Sequence, residues 1–106
     1  MQLLTQELKK QFPAIYSTEE SEDPLVMCRY FLPMTKWEWF VTEFDGTSEF
    51  FGYVVGQYTE LGYFTLNDLR TARGPFGFQV ERDCSFTPAP LSKIKQEVKG
   101  GAYATV

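Results

Sequence analysis

Histidine is absent from this chain. That one absence removes the commonest general base, the usual pH switch and the usual zinc ligand. Ser–His and Cys–His nucleophilic pairs are impossible, so an enzyme built here would rely on carboxylates, Lys, Arg or Tyr. Cysteine is scarce: only Cys28 and Cys84 occur. Two thiols without histidine make a poor metal site. Each falls in a segment that reads as strand, and both read as small buried hydrophobes. There is no phosphate-loop signature, no metal-ligand motif and no cofactor motif. The opening MQLLTQELKKQF lacks the basic start and long apolar run of a secretory signal. No stretch approaches the ~20 apolar residues of a membrane span. These absences point to a soluble, cytoplasmic protein.

What is abundant is aromatic. Phe, Tyr and Trp make up 17% of the 106 residues, and twelve of the eighteen lie between Tyr30 and Phe64. Hydrophobic residues at 43% and charged residues at 23% give an ordinary globular balance. The length suits one domain over residues 1–106, with 1–2 and 100–106 expected to fray.

The patterning predicts an α+β fold: an antiparallel sheet of four to five strands with short helices packed on one face. Leu4, Leu8 and Phe12 recur at helical spacing, so 3–11 reads as a helix ended by Pro13. Residues 17–24 hold four acids and a proline and read as a solvated loop. Strands are predicted over 25–32, 37–44 and 49–57, with Asp45-Gly46 as the hairpin signal between the last two. Residues 61–64 read as a fourth strand. Thr65 and Asp68 have capping-box spacing for a helix over 66–73, stopped by Gly74-Pro75. A fifth strand is predicted over 78–86, a rigid turn bracketed by Pro88 and Pro90, and a last helix over 91–98. Trp39 is expected in the core. Gly52 and Gly56 share one face of the third strand, where glycine signals close approach by another element, and a helix is expected to cross there.

Charge is segregated along the chain. The net charge is −4 at pH 7, yet residues 37–68 carry six acids and no base, while 69–106 carry six bases and three acids. A one-sign block on a sheet attracts a basic partner. Glu43, Asp45, Glu49 and Glu60 are the candidate partner-binding residues, with Glu43, Asp45 and Glu49 gathering around the hairpin turn. Alternation assigns Glu38 and Glu43 to opposite faces. The competing reading is that Arg70, Arg73 and Arg82 fold back onto these acids. A third reading takes Glu43 and Asp45, two residues apart, as a carboxylate pair for catalysis or for Mg²⁺. The aromatic cluster supplies more area than a small core needs, and exposed aromatics beside acids make a protein-binding hot spot. Arg73-Gly-Pro-Phe-Gly-Phe78 superficially resembles the central strand of RNA-recognition domains. Pro75 interrupts that motif and Glu81 replaces its last stacking aromatic. With a pI near 4.8, direct nucleic-acid binding is not expected.

Several runs together resemble a known family. They are Trp39-Phe-Val-Thr-Glu-Phe-Asp45, Phe50-Phe-Gly-Tyr-Val54, Glu60-Leu-Gly-Tyr-Phe64, Arg73-Gly-Pro75, Val80-Glu-Arg-Asp83 and Phe86-Thr-Pro-Ala-Pro-Leu91. They resemble the small bacterial family numbered twenty-nine fifty-eight among the domains of unknown function. The resemblance covers most of residues 3 to 92. It implies a setting on plasmids, phages and integrative elements, and it assigns no catalytic residue. The expectation is a non-enzymatic accessory protein of a mobile element that binds a protein. An acidic inhibitor of a host defence nuclease, anti-CRISPR or anti-restriction, fits this setting. The alternative is a small carboxylate-dependent enzyme of unknown substrate, with or without Mg²⁺.

Overall fold

The computed structural model describes residues 2–101; Met1 and 102–106, part of the termini expected to fray, lie outside the described residues. The first helix is α1, Gln6–Gln11, shorter than predicted because Thr5 caps it, its hydroxyl oxygen accepting from the Leu8 N–H at 3.1 Å. The predicted strand at 25–32 divides into β1, Leu25–Val26, and β2, Cys28–Phe31. Then come β3, Glu38–Phe44; β4, Glu49–Val55; and β5, Thr59–Thr65. The helix α2, Leu66–Thr71, starts at the capping box read from the sequence, with Thr65 and Asp68 each accepting from the other's backbone N–H. It is followed by β6, Glu81–Arg82; β7, Ala89–Pro90; and α3, Leu91–Lys99.

Five strands form an antiparallel sheet in the order β5-β4-β3-β2-β6, and β1 pairs with β7 in a separate ribbon. The α+β class is as read from the sequence. The predicted fifth strand over 78–86 reduces to β6. Pro75–Gly77 forms a single 3-10 turn that folds Gln79 back to bridge Arg73. The strand ends at Asp83, whose carboxylate turns back to accept the Ser85 N–H and hydroxyl at 3.1 and 2.9 Å. Nor do Pro88 and Pro90 simply bracket a turn: Ala89 and Pro90 pair with β1, an edge position where proline needs no ladder donor.

The helices cover both faces of the sheet, not one. Tyr30, Trp39, Val41, Phe44, Phe50 and Phe64 form one core cluster with Leu66 and Leu69 of α2, flanked by Leu8 and Phe12 from the α1 side. Phe40 and Tyr53 on the opposite face pack with Val26, Leu91 and Ile94, placing α3 and the β1–β7 ribbon there. Burial of Leu91 and Ile94 contributes about 1.5–3 kcal/mol each. Pro90 at the start of α3 offers no side-chain cap, so Asp23 supplies one from the acidic loop. Its oxygens accept the Ser92 N–H at 2.8 Å and hydroxyl at 2.6 Å, and these bonds hold the Asp23 carboxyl below its usual range.

A bulge in β3 lies opposite Gly52, the first of the two strand glycines. Val41 pairs with Gly52 and Glu43 with Phe51, so Thr42 is the extra residue. Phe44 therefore joins Trp39 and Val41 on the α2 face, while Glu43 joins Glu38 on the α3 face. The assignment of Glu38 and Glu43 to opposite faces is corrected. The neighbour of Gly52 is the β3 backbone, not a helix: a Cβ there would lie 2.0 Å from the Phe40 carbonyl oxygen. At Gly56 the neighbour is the Trp37 ring, 2.2 Å from such a Cβ.

The two cysteines also differ. Cys28 is buried, but Cys84 sits exposed in the turn after β6, and both are free thiols. Burial pushes the Cys28 thiol up to about 12, against which a hydrogen bond with Tyr30 works only partly. Burial also raises the Tyr30 hydroxyl, which donates to the Leu3 carbonyl at 2.5 Å. Under mildly alkaline conditions iodoacetamide is expected to alkylate Cys84 in the folded protein and Cys28 only after denaturation; equal rates would count against the packing. The unfolded chain gives up the Cys28 proton near 9.0, whereas the folded protein holds it to about 12. Stability is therefore expected to fall as pH rises across that window, as urea midpoints taken along a pH series would report.

Candidate functional site

The four acids singled out in the sequence do not form one patch. Glu43 is only 2% exposed. Its Oε1 accepts the Tyr16 N–H at 2.8 Å and its Oε2 the Thr18 N–H at 2.9 Å, with a further bond from the Thr18 hydroxyl. The carboxylate thus fastens the 13–20 loop to the sheet, aided by the Phe44 N–H donating to the Pro13 carbonyl. Asp45 is exposed. One of its oxygens accepts the N–H groups of Thr47, Ser48 and Glu49, an Asx turn that closes the hairpin. Its slight burial works to raise the Asp45 carboxyl, but the three backbone bonds outweigh it and the net shift is downward. Glu49 is half-buried opposite Thr65, and Glu60 is exposed opposite Val54 at the far end of the same hairpin. Five residues of strand, roughly 17 Å, separate the two ends.

Among the described residues, neither Arg70 nor Arg73 forms an ion pair with these acids. Arg29 is the interior cation. Its Nη2 lies 2.6 Å from Glu38 Oε1 and its Nη1 3.1 Å from Asp83 Oδ2, on the α3 side of the sheet. The carboxylate-pair reading meets a chemical obstacle: Glu43 and Asp45 are each occupied by backbone donors of different loops. Among the described residues, no three His, Cys, Asp or Glu side chains come together as a metal-holding group. Also among them, no helix is long and apolar enough to cross a membrane.

A different constellation emerges along β5. A groove of about 410 Å³ runs over the α2 face of this strand, lined by Trp37, Trp39, Tyr58, Glu60, Gly62 and Asp68 among others. Trp37 and Trp39 stack with ring centroids 5.8 Å apart, and Trp37 remains partly exposed. The groove lining includes two carboxylates and no Lys or Arg. On the opposite face of β5, Leu61 and Tyr63 are 47% and 49% exposed. Tyr63 packs against Phe51 at 4.8 Å and against Tyr16 of the loop held by Glu43 at 6.2 Å. Slight desolvation and the neighbouring Tyr16 hydroxyl raise the Tyr63 hydroxyl.

Of the candidate acids, then, only Glu60 lines this groove. Asp68, read from the sequence as a helix cap, lines it too and is both. Leu61 and Tyr63 were legible as strand residues, but nothing in their pattern marked β5 as the sheet edge, and Tyr58 falls between the predicted strands, in the bend just before β5. Trp37 is drawn to the groove by the space that Gly56 leaves for its ring. Phe76, at the tip of the 3-10 turn with φ 59°, is another exposed aromatic that the sequence concealed in a turn motif.

The chain belongs to the DUF2958 family, described as proteins of unknown function, whose sequence profile matches residues 3–99. No curated protein and no solved structure matches the chain.

Proposed function

We propose that this DUF2958 member is a non-enzymatic protein-binding domain that takes a basic partner surface into the groove along β5. The observation that carries this reading is the groove itself: stacked Trp37 and Trp39, exposed Tyr58, and the carboxylates of Glu60 and Asp68 with no cation in its lining. Aromatic rings supply contact area at low entropic cost, and a negative rim speeds encounter with a basic partner. Glu49 and Asp45 lie at the other end of the hairpin and act as outlying steering charges. Glu43 takes no part, because its charge is spent inside.

The partner class follows from the charge and from the setting that the family resemblance implies. In the bacterial cytoplasm, a mobile element gains from an acidic accessory protein that occupies the Lys- and Arg-lined groove of a host defence nuclease. Such a protein competes with nucleic acid for the same side chains. The reading is therefore anti-CRISPR or anti-restriction binding, without direct nucleic-acid contact.

The test is phage plating on bacteria that carry one defined restriction or CRISPR nuclease and express this chain. Wild type is expected to raise plating clearly above the empty-vector level on a sensitive system. The Tyr58→Ala/Glu60→Lys variant should lose most of that gain while keeping its thermal midpoint. No protection across a panel of such nucleases would remove the nuclease target. Protection that survives the double variant would move the contact away from the groove.

A further inference from the structure

β5 is an edge strand seven residues long. The opposite edge, β6, has only two residues. Proteins usually blunt such an edge with lysine, proline, a bulge or a covering element. The sequence TELGYFT of β5 has none of the first three, and the β4–β5 register runs unbroken from Glu49–Thr65 to Val55–Thr59.

The direction of the backbone groups follows from the two ends of the β4–β5 ladder. The Gly56 N–H donates to the Tyr58 carbonyl at 3.2 Å, and the Leu66 N–H donates to the Ser48 carbonyl at 2.8 Å. In an antiparallel pair, hydrogen-bonded residues alternate with non-bonded ones. The even residues of β5 therefore bond inward to β4. The N–H and C=O groups of Leu61 and Tyr63 point out of the sheet, and they have no partner among the described residues. Above Gly62 the groove is open: a Cβ there would meet nothing within 4 Å.

We infer that β5 is completed by strand addition, and that the added strand is an extended partner segment alternating basic and apolar residues. The inference rests on the protein-binding reading of the groove and specifies its mode. In antiparallel addition the residues opposite Leu61 and Tyr63 exchange both backbone bonds with them, and their side chains lie on the Leu61–Tyr63 face. Those positions take apolar side chains. The alternate positions project over the groove, where Glu60 and Asp68 face a lysine or arginine whose stem lies on the tryptophans. A second copy of this chain fits less well, because its own β5 carries Glu60 and no base to set against the same acids.

The probe is a short blocked peptide alternating lysine and valine, titrated against the full chain by calorimetry. Methylating the valine nitrogens removes the N–H groups that face β5, whereas methylating the lysine nitrogens removes those that face away. The valine-methylated peptide is expected to bind at least about tenfold more weakly, and the lysine-methylated peptide to bind nearly as well as the parent. Leu61→Pro deletes only an outward donor, so it should weaken the parent peptide similarly while circular dichroism stays unchanged. Equal binding of all three peptides, or loss with lysine methylation alone, overturns strand addition. If that equal binding falls with salt and with Glu60→Lys, the groove still binds basic protein, and only the mode proposed here has failed. A dimer in sedimentation that Leu61→Pro dissociates would make a second copy the occupant and overturn the assignment. Failure of every peptide to bind overturns it as well.

Discussion

Arg29→Met is expected to destabilise the fold by about 3–5 kcal/mol, read from urea denaturation midpoints and slopes. Arg29 is 4% exposed and sits in β2, where it ties β3 on one side to the turn after β6 on the other. Its Nε and Nη2 reach Glu38 Oε1 of β3 at 3.3 and 2.6 Å, and its Nη1 reaches Asp83 just past β6 at 3.1 Å. The guanidinium also lies 4.6 Å from the Phe31 ring centroid. Methionine fills much of the volume, so the loss is not chiefly a cavity. The cost comes from leaving the Glu38 carboxylate buried with its cation gone. Asp83 suffers less, because its other oxygen still accepts from Ser85 and its side chain is partly solvated. The double variant Arg29→Met/Glu38→Leu should accordingly be more stable than Arg29→Met alone, with a coupling of about 1–3 kcal/mol. A single variant that costs less than about 1 kcal/mol would mean that water reaches Glu38.

Gly52→Ala is expected to cost about 3 kcal/mol, a large effect for one methyl group. The added carbon would meet backbone only: the Phe40 carbonyl oxygen at 2.0 Å, its carbon at 2.9 Å and the Val41 Cα at 3.0 Å. No side chain can swing away, so the bulge at Thr42 must open. Opening it realigns β3 against β4 and turns Phe44 away from Phe50, on which it stacks at 4.5 Å. Gly62→Ala, one strand over and opposite Gly52, meets nothing within 4 Å and serves as the control, expected within about 0.5 kcal/mol of wild type. Equal midpoints for the two variants would show that the bulge relaxes without cost.

These two sites mark where the sequence could be read and where it could not. Local chemistry was legible. Asp45 and Gly46 closed the β3–β4 hairpin as read, because an Asx turn needs only residues that follow it directly. Thr65 and Asp68 opened α2 for the same reason, as partners three residues apart. Leu91 and Ile94 showed the buried side of α3 through spacing alone, and Trp39 entered the core as expected. The antiparallel sheet followed from strands joined by short turns.

The rest depended on groups far away in the chain. Alternation assigned Glu38 and Glu43 to opposite faces, and one extra residue at Thr42 put them on the same one. A bulge carries no fixed residue signature; its trace here was a glycine on the partner strand. Glu43 read as a surface charge because carboxylates are rarely buried, and it is buried because two N–H groups and a hydroxyl arrive from Tyr16 and Thr18, more than twenty residues earlier. Glu38 is inside for a similar reason, since Arg29 reaches it across the sheet. Which face each helix covered was undecided by amphipathic spacing, which says that a helix has a buried side and not what buries it. The edge position of β5 was hidden as well, because strand order is a property of the assembled sheet. Thr59–Thr65 has the same alternating pattern whether or not another strand lies beside it. The sequence alone thus determined the elements whose stabilising partners lie within a turn or two. The interior charges, the bulge and the open edge were decided only when the tertiary fold brought remote donors, backbones and strands into contact.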